Sequence, residues 1–269
     1  MMLQIILAGA LVYALLLAIC SECRRCDDLP TGAVCVRGCS CCLRNSRYDD
    51  PSLVVACDKE QTKLTNVTQD LNALLQTIKS NIILLTSFTM DGVTALHTVP
   101  SELCTIYSLE ELVLTNLGLT SVTAQCFSNM SNLVRWSMVL NKLVSLPNDL
   151  LVGQTKLAEF NMAHNDIVDV QPELFQNTAS VSTLKYIDFS LNRLTSLDRW
   201  PLFFRADDFY VNLATNNIST FTNKLRYKYT CAMPQLHGTI MLNGNNVQHF
   251  MDLISGYGFK PRDPNYLCL

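Results

Sequence analysis

The stretch LVRWSMVLNKLVSL, residues 133–146, is followed 24 residues later by LAEFNMAHNDIVDV, residues 157–170. In both, apolar side chains hold the first, fourth and sixth places: Leu133, Trp136 and Met138, then Leu157, Phe160 and Met162. Both carry asparagine in the ninth place, Asn141 and Asn165. Apolar residues return in the eleventh and fourteenth, as Leu143 and Leu146, then Ile167 and Val170. Apolar residues two apart mark a short strand with one buried face. An asparagine three residues beyond marks the turn out of it, because its amide can both donate to and accept from backbone groups.

The register extends outward. Upstream stand Leu109, Leu112 and Leu114, and before them Leu85, Phe88 and Met90. Downstream stand Leu184, Ile187 and Phe189. Two weaker copies follow, with Asp208 before Val211 and Leu213, and His237 before Ile240 and Leu242. The first places, at 85, 109, 133, 157, 184, 208 and 237, are spaced 24, 24, 24, 27, 24 and 29 apart. Asn192, Asn216 and Asn245 continue the asparagine column; Leu117 stands in it in the second copy, so a less regular turn is expected there. Leu194, Ile218 and Val247, then Leu197, Phe221 and Phe250, continue the later columns.

This L-x-x-L-x-L-x-x-N-x-L pattern resembles the leucine-rich repeat family. The resemblance covers about residues 85–250 and implies an α/β leucine-rich repeat solenoid. Its parallel sheet would line the concave face, with an irregular or helical convex side and a disulfide-rich N-terminal cap. About seven strands at ~4.8 Å per step give a surface roughly 30 Å long. The five ladder asparagines read as structural. Phe127 and Phe175, in the nineteenth place of their repeats, and Phe203, in the twentieth, read as a core stack behind the sheet.

Hydrophobic residues make up 49% of the 269 and charged residues 16%, which excludes a disordered chain. A net charge of −3 gives no case for nucleic acid or an anionic membrane as partner. Leu3 to Ile19 is an uncharged apolar run, with Ala18 and Cys20 before Ser21, the pattern of a cleaved signal peptide over residues 1–20. Its 17 residues sit at the lower limit for a bilayer span, which leaves an uncleaved anchor as the alternative. No membrane span is expected after cleavage. The chain is expected to be secreted, or the extracellular part of a truncated membrane receptor, where its cysteines oxidise.

Eight of the 12 cysteines fall between Cys20 and Cys57. Cys23, Cys26, Cys39 and Cys42 have the spacing of a zinc site, yet the segment has no histidine and the compartment favours disulfides. No metal or cofactor is expected. Cys35-x3-Cys39-x-Cys41-x15-Cys57 resembles the N-terminal cysteine cap of extracellular leucine-rich repeat proteins. That resemblance implies Cys35–Cys41 and Cys39–Cys57. The cap, over residues 21–84, would cover the open end of the array. Its first strand is expected at Val54–Cys57. A helix follows with Leu71, Leu74, Leu75 and Ile78 on one face and Thr68 as N-cap. Cys23, Cys26 and Cys42 exceed the family's pattern. Cys104 and Cys126 hold similar convex positions in adjacent repeats, as a disulfide or as two buried thiols. Residues 251–269 form a tail whose Asp263-Pro264 and Cys268 resemble a second cysteine cap cut short; Cys268 has Cys231 or another chain as its candidate partner.

No G-x-S-x-G, H-E-x-x-H or glycine-rich phosphate loop occurs. His97, His164, His237 and His249 lie in different repeats and cannot converge, and only His164 reads onto the exposed strand face. A non-enzyme that binds through a pre-formed sheet face is expected. Its third strand slots hold Ser87, Glu111, Arg135, Glu159, Tyr186, Tyr210 and Thr239; its fifth hold Thr89, Val113, Ser137, Asn161, Asp188, Asn212 and Met241. Neighbours in a column lie ~5 Å apart, so Arg135, Glu159, Tyr186, Asp188, Tyr210 and Asn212 form one mixed patch. Tyrosine and arginine are typical of interface hot spots. Asn66, Asn129 and Asn217 open N-x-S/T glycosylation sequons on segments expected at the surface.

The irregular spacing and cysteine-capped start resemble Toll-like receptor ectodomains. That resemblance implies recognition of a protein or microbial ligand in innate immunity, with a co-receptor or as a homodimer. The alternative is a matrix or adhesion protein resembling small leucine-rich proteoglycans. A clustered basic face or glycosaminoglycan sites would favour it, and the sequence has neither.

Overall fold

The structure is a computed structural model. It describes residues 36, 39–45, 51–57, 67–81, 83–93, 96–171, 173–176, 182–196, 209–219, 238–246 and 266–268. Among them ten strands form one sheet in chain order. β1 (Cys39–Asn45) runs antiparallel to β2 (Pro51–Cys57), and β2 opens a parallel run. Its members are β3 (Ser87–Asp91), β4 (Glu111–Thr115), β5 (Arg135–Ser137), β6 (Glu159–Asn161), β7 (Tyr186–Asp188), β8 (Phe209–Asn212) and β9 (Gly238–Met241). β10 (Tyr266–Cys268) turns back antiparallel onto β9.

Every register step joins residues of equal place in the repeat. Phe88 pairs with Leu112, Leu112 with Trp136, Trp136 with Phe160, Phe160 with Ile187, and Ile187 with Val211. A slip of one residue would turn these apolar side chains to water, which is why the pattern specifies the pairing. All six are buried in one continuous core. An aromatic file runs through it: Phe127, Trp136, Phe160 and Phe189 follow at centroid distances of 4.2, 5.4 and 5.9 Å. Phe175 meets Phe160 edge-on at 6.3 Å. Phe203, Leu197, Phe221, Val247 and Phe250 lie outside the described residues.

The chain leaves each strand through one recurring turn. The residue just before the asparagine column has positive φ in seven successive repeats: Gly92, Asn116, Leu140, His164, Leu191, Thr215 and Gly244, between 54° and 84°. For the five that are not glycine, this left-handed backbone costs roughly 1–2 kcal/mol each. At Leu140, His164, Leu191 and Thr215, hydrogen bonds from the asparagine that follows offset that cost. Each ladder asparagine reaches into the preceding repeat. Asn141 Nδ2 donates to the Leu114 carbonyl and its Oδ1 accepts from Leu117 and Leu119. Asn165 joins Met138 and Leu143, Asn192 joins Met162 and Ile167, Asn216 joins Phe189 and Leu194, and Asn245 joins Leu213 and Ile218. The irregular turn expected at Leu117 is not found. Asn116 has φ 54° like its equivalents, because the turn preceding Leu117 is held from the next repeat by Asn141.

Helix α1 (Val67–Ser80) buries Leu71, Leu74, Leu75 and Ile78 in the core. It begins one residue before Thr68, which therefore lies in the first turn rather than at its cap. On the convex side a 3-10 turn (Leu103–Thr105) and the short helix α2 (Ala124–Phe127) are joined by a Cys104–Cys126 disulfide with Cα atoms 4.6 Å apart. A third short helix, α3 (Glu173–Gln176), supplies Phe175. Cys39, Cys41 and Cys42 are each disulfide-bonded, and Cys39 lies opposite Cys57 in the β1–β2 pair. Cys35, Cys23, Cys26, Cys231 and the Cys57 side chain lie outside what is described. So do residues 1–20, Asn66, His237 and His249. Among the described residues no helix is long and apolar enough to cross a membrane.

Candidate functional site

The sheet positions one outward side chain per repeat in each slot, so columns form down the face. In the third-slot column, Arg135 lies between Glu111 and Glu159. Its Nη1 donates to Glu111 Oε1 at 2.7 Å and its Nε to Glu159 Oε2 at 2.6 Å. Nη2 reaches Glu159 Oε1 at 3.3 Å, which makes that pair bidentate. Ser87 Oγ continues the column by donating to Glu111 Oε2 at 3.0 Å. The hydrogen bonds to Glu159 and then Glu111 hold the Arg135 guanidinium above its ordinary range, so it stays charged. The three side chains remain 51%, 33% and 42% exposed, so each ion pair contributes less than about 1 kcal/mol to folding. Glu111, which the register places in the same slot 24 residues before Arg135 but outside the six-residue patch, thus joins that patch.

Beyond Glu159 the column becomes aromatic. Tyr186 and Tyr210 are stacked with centroids 5.4 Å apart and planes 6° from parallel. Tyr186 Oη donates to Asp188 Oδ2 at 2.8 Å, and Tyr210 Oη donates to Met241 Sδ. Burial first, and then the Asp188 carboxylate, pushes the Tyr186 phenol above its usual range.

The fifth slot behaves differently from a free face. Asp188 is only 6% exposed. Its Oδ1 accepts from the Ser190 amide at 2.8 Å, and its Oδ2 from Tyr186 and from Asn212 Nδ2 at 3.0 Å. Asn161 and Asn212 likewise accept from the amides two residues on, Ala163 at 3.0 Å and Ala214 at 3.1 Å. These Asx turns close the chain at the strand's end, so Asn161, Asp188 and Asn212 each commit an oxygen to their own backbone. The patch therefore presents Arg135, Glu159, Tyr186 and Tyr210. Asp188 holds the Tyr186 hydroxyl, and Asn212 in turn bonds Asp188. His164 lies in the left-handed turn after β6 and not on the strand itself. Among the described residues no group of three His, Cys, Asp or Glu side chains could hold a metal ion.

Strand, left-handed turn and backward-reaching asparagine recur as one unit down the parallel sheet. The chain is a leucine-rich repeat solenoid. No family model matches its sequence, and no curated protein matches it. Among solved structures similar to the solenoid is the TLR13–ssRNA13 complex, 17% identical with a TM-score of 0.46 over 66% of this chain and 27% of that one. A second is the Toll–Spatzle complex of Drosophila, at 12%, 0.43, 64% and 24%. A third is human 5T4, trophoblast glycoprotein, at 15%, 0.48, 84% and 87%. The solenoid spans about a quarter of the length of the first two. The fold stands on the strand register and the asparagine ladder, independently of these likenesses.

Proposed function

We propose that this solenoid is a secreted binding protein, or the extracellular part of a receptor, that recognises a protein or microbial ligand through the outer face of its sheet. The observation that carries this reading is the third-slot column. It sets an ion-paired arginine and glutamate next to two stacked tyrosines on the outward side of the strands. The hydrogen bonds that hold these side chains in the unbound chain lower the entropy lost when a partner docks. Tyrosine and arginine also supply a disproportionate share of interface energy. A role in innate immune recognition, with a co-receptor or as a homodimer, is the specific form of this proposal. The same reading assigns Cys35–Cys41 and Cys39–Cys57 to the N-terminal cap, with Cys39 and Cys41 as observed half-cystines.

The test is a screen of the purified chain against secreted and cell-surface proteins and microbial extracts, followed by Tyr186→Ala, Tyr210→Ala and Arg135→Ala. Each substitution is expected to weaken a captured ligand by tenfold or more, about 1.4 kcal/mol. Unchanged affinity in all three, with the fold intact by circular dichroism, removes the column as the binding surface. Disulfide mapping of tryptic peptides checks the cap.

A further inference from the structure

We infer that Asn129 and Asn217 carry N-linked glycans, displayed on exposed segments that lie outside the strands of the sheet. The two asparagines differ from the ladder asparagines in what their amides do. Asn141, Asn165, Asn192, Asn216 and Asn245 each use both amide atoms inside the fold, so none has an amide to give. Asn129 and Asn217 are exposed, and neither side chain bonds to another described residue.

Both sequons share one local design. The middle residue is driven into the core, Met130 at 0% exposure and Ile218 at 1%, so the residues on either side of it are turned outward. Asn129 sits in the turn after α2, where Ser128 donates to Ala124 and Met130 to Phe127. Asn217 donates its backbone amide to Leu194, and Ser219 donates to Thr195 in the same preceding repeat. Both asparagines are thus displayed on backbone that the repeat holds rigid. Asn217 also continues a surface column. Lys142, Asp166, Arg193 and Asn217 make the same backbone bond to the preceding repeat, and Arg193 pairs with Asp166 at 2.7 Å. This column borders the turns beside the sheet and lies outside the strands. Asn129 lies on the side of α2, away from the strand face. Asn217 belongs to the same repeat as Tyr210, so its glycan would border that end of the third-slot column.

The chemistry requires a lipid-pyrophosphate-linked oligosaccharide as co-reactant, supplied by the transferase of the secretory lumen. The asparagine Nδ2 forms a bond to the anomeric carbon, the carbon–oxygen bond to pyrophosphate breaks, and the lipid pyrophosphate leaves with the electron pair. The amide loses one proton. The sequon serine two residues on, Ser131 or Ser219, is what the transferase requires, and neither sequon has proline in its middle place.

The experiment expresses the full chain in cultured animal cells and digests the protein with peptide-N-glycosidase in heavy-oxygen water. Peptides containing Asn129 and Asn217 are expected to appear as labelled aspartate. Asn129→Gln and Asn217→Gln are each expected to increase mobility by one glycan, and Ser131→Ala and Ser219→Ala to repeat those shifts by a separate route. Unlabelled asparagine in either peptide overturns the assignment of that site. The inference rests on the secreted reading: a chain recovered from the medium with no glycan at all overturns the glycan sites alone, whereas a chain found only in the cytosol overturns the secreted reading and the inference with it. If the glutamine variants fail to fold, the serine variants and the labelled wild-type peptides decide the matter.

Discussion

Asn165 allows the ladder to be tested at one amide. In the wild type its Oδ1 accepts from Leu143 at 3.0 Å, and its Nδ2 is shared among the Met138, Met162 and Ala163 carbonyls at 2.9, 3.1 and 3.3 Å. Asn165→Ala removes all four bonds, yet the consequences differ group by group. Met138 keeps a bond from Asn141 at 3.1 Å, Met162 keeps one from Asn192 at 2.9 Å, and Ala163 keeps the Leu140 amide at 3.2 Å. Only the buried Leu143 N–H loses its partner. An orphaned buried donor costs about 1–3 kcal/mol, and the lost donor bonds add about 1, so the expected loss is about 2–4 kcal/mol. Urea unfolding with disulfides intact reads this as a lower midpoint at unchanged slope. Asn165→Asp separates the two halves of the amide. It keeps an acceptor for Leu143 but turns a second oxygen toward three carbonyls, so the buried carboxyl keeps its proton in the native state. Its folded pKa then lies above the unfolded one. The native state binds more protons through the carboxylate range, and stability falls as pH rises through it. An Asn165→Ala loss below about 1 kcal/mol, or an Asn165→Asp variant whose stability does not fall with pH, would refute the argument that the amide is the element joining adjacent repeats.

Other consequences are equally concrete. Gly153 has φ 90°, and a Cβ there would lie 2.5 Å from the Ser128 carbonyl oxygen, which is backbone and cannot swing away. Gly153→Ala is expected to lose at least about 2 kcal/mol in the same urea assay. Leu140→Gly, at φ 60°, exchanges left-handed strain for unfolded-state entropy and is expected to stay within about 1 kcal/mol of wild type. Replacing both Cys104 and Cys126 by serine opens a link 22 residues apart and is expected to cost about 3 kcal/mol, read by thermal unfolding under non-reducing conditions. Tyr186 titrates above its unfolded value, so the native state holds its proton longer. Its contribution to stability is complete below about pH 10 and is lost as pH rises further, and Tyr186→Phe is expected to remove that part of the alkaline decline when the two unfolding curves are compared.

Most of the repeat could be read along the chain because its signals are local and periodic. Trp136, Phe160 and Ile187 announce inward slots by their spacing, and the strand period turns that spacing into register. The phenylalanines expected to stack on one another, Phe127 and Phe175, are buried, and the ring contacts seen for them are to the inward strand residues Trp136 and Phe160. The outward face was harder to read. Asp188 shares a slot parity with exposed residues, but an amide two residues on competes for its carboxylate and draws it in. That competition between backbone and solvent depends on where the next turn lies, so no alternation pattern records it.

The sequence alone determined that this protein is a stack of about seven short strands with asparagines at their exits. A repeated pattern of inward side chains admits only one pairing that keeps water out. Tertiary structure alone decided what lies between repeats. It placed Glu111 within reach of Arg135, brought Tyr186 flat against Tyr210, joined Cys104 to Cys126, and kept the turn at Leu117 regular by lending it Asn141 from the next unit. Those contacts join residues more than 20 positions apart. Their partners are chosen by the geometry of stacking, which no single repeat contains.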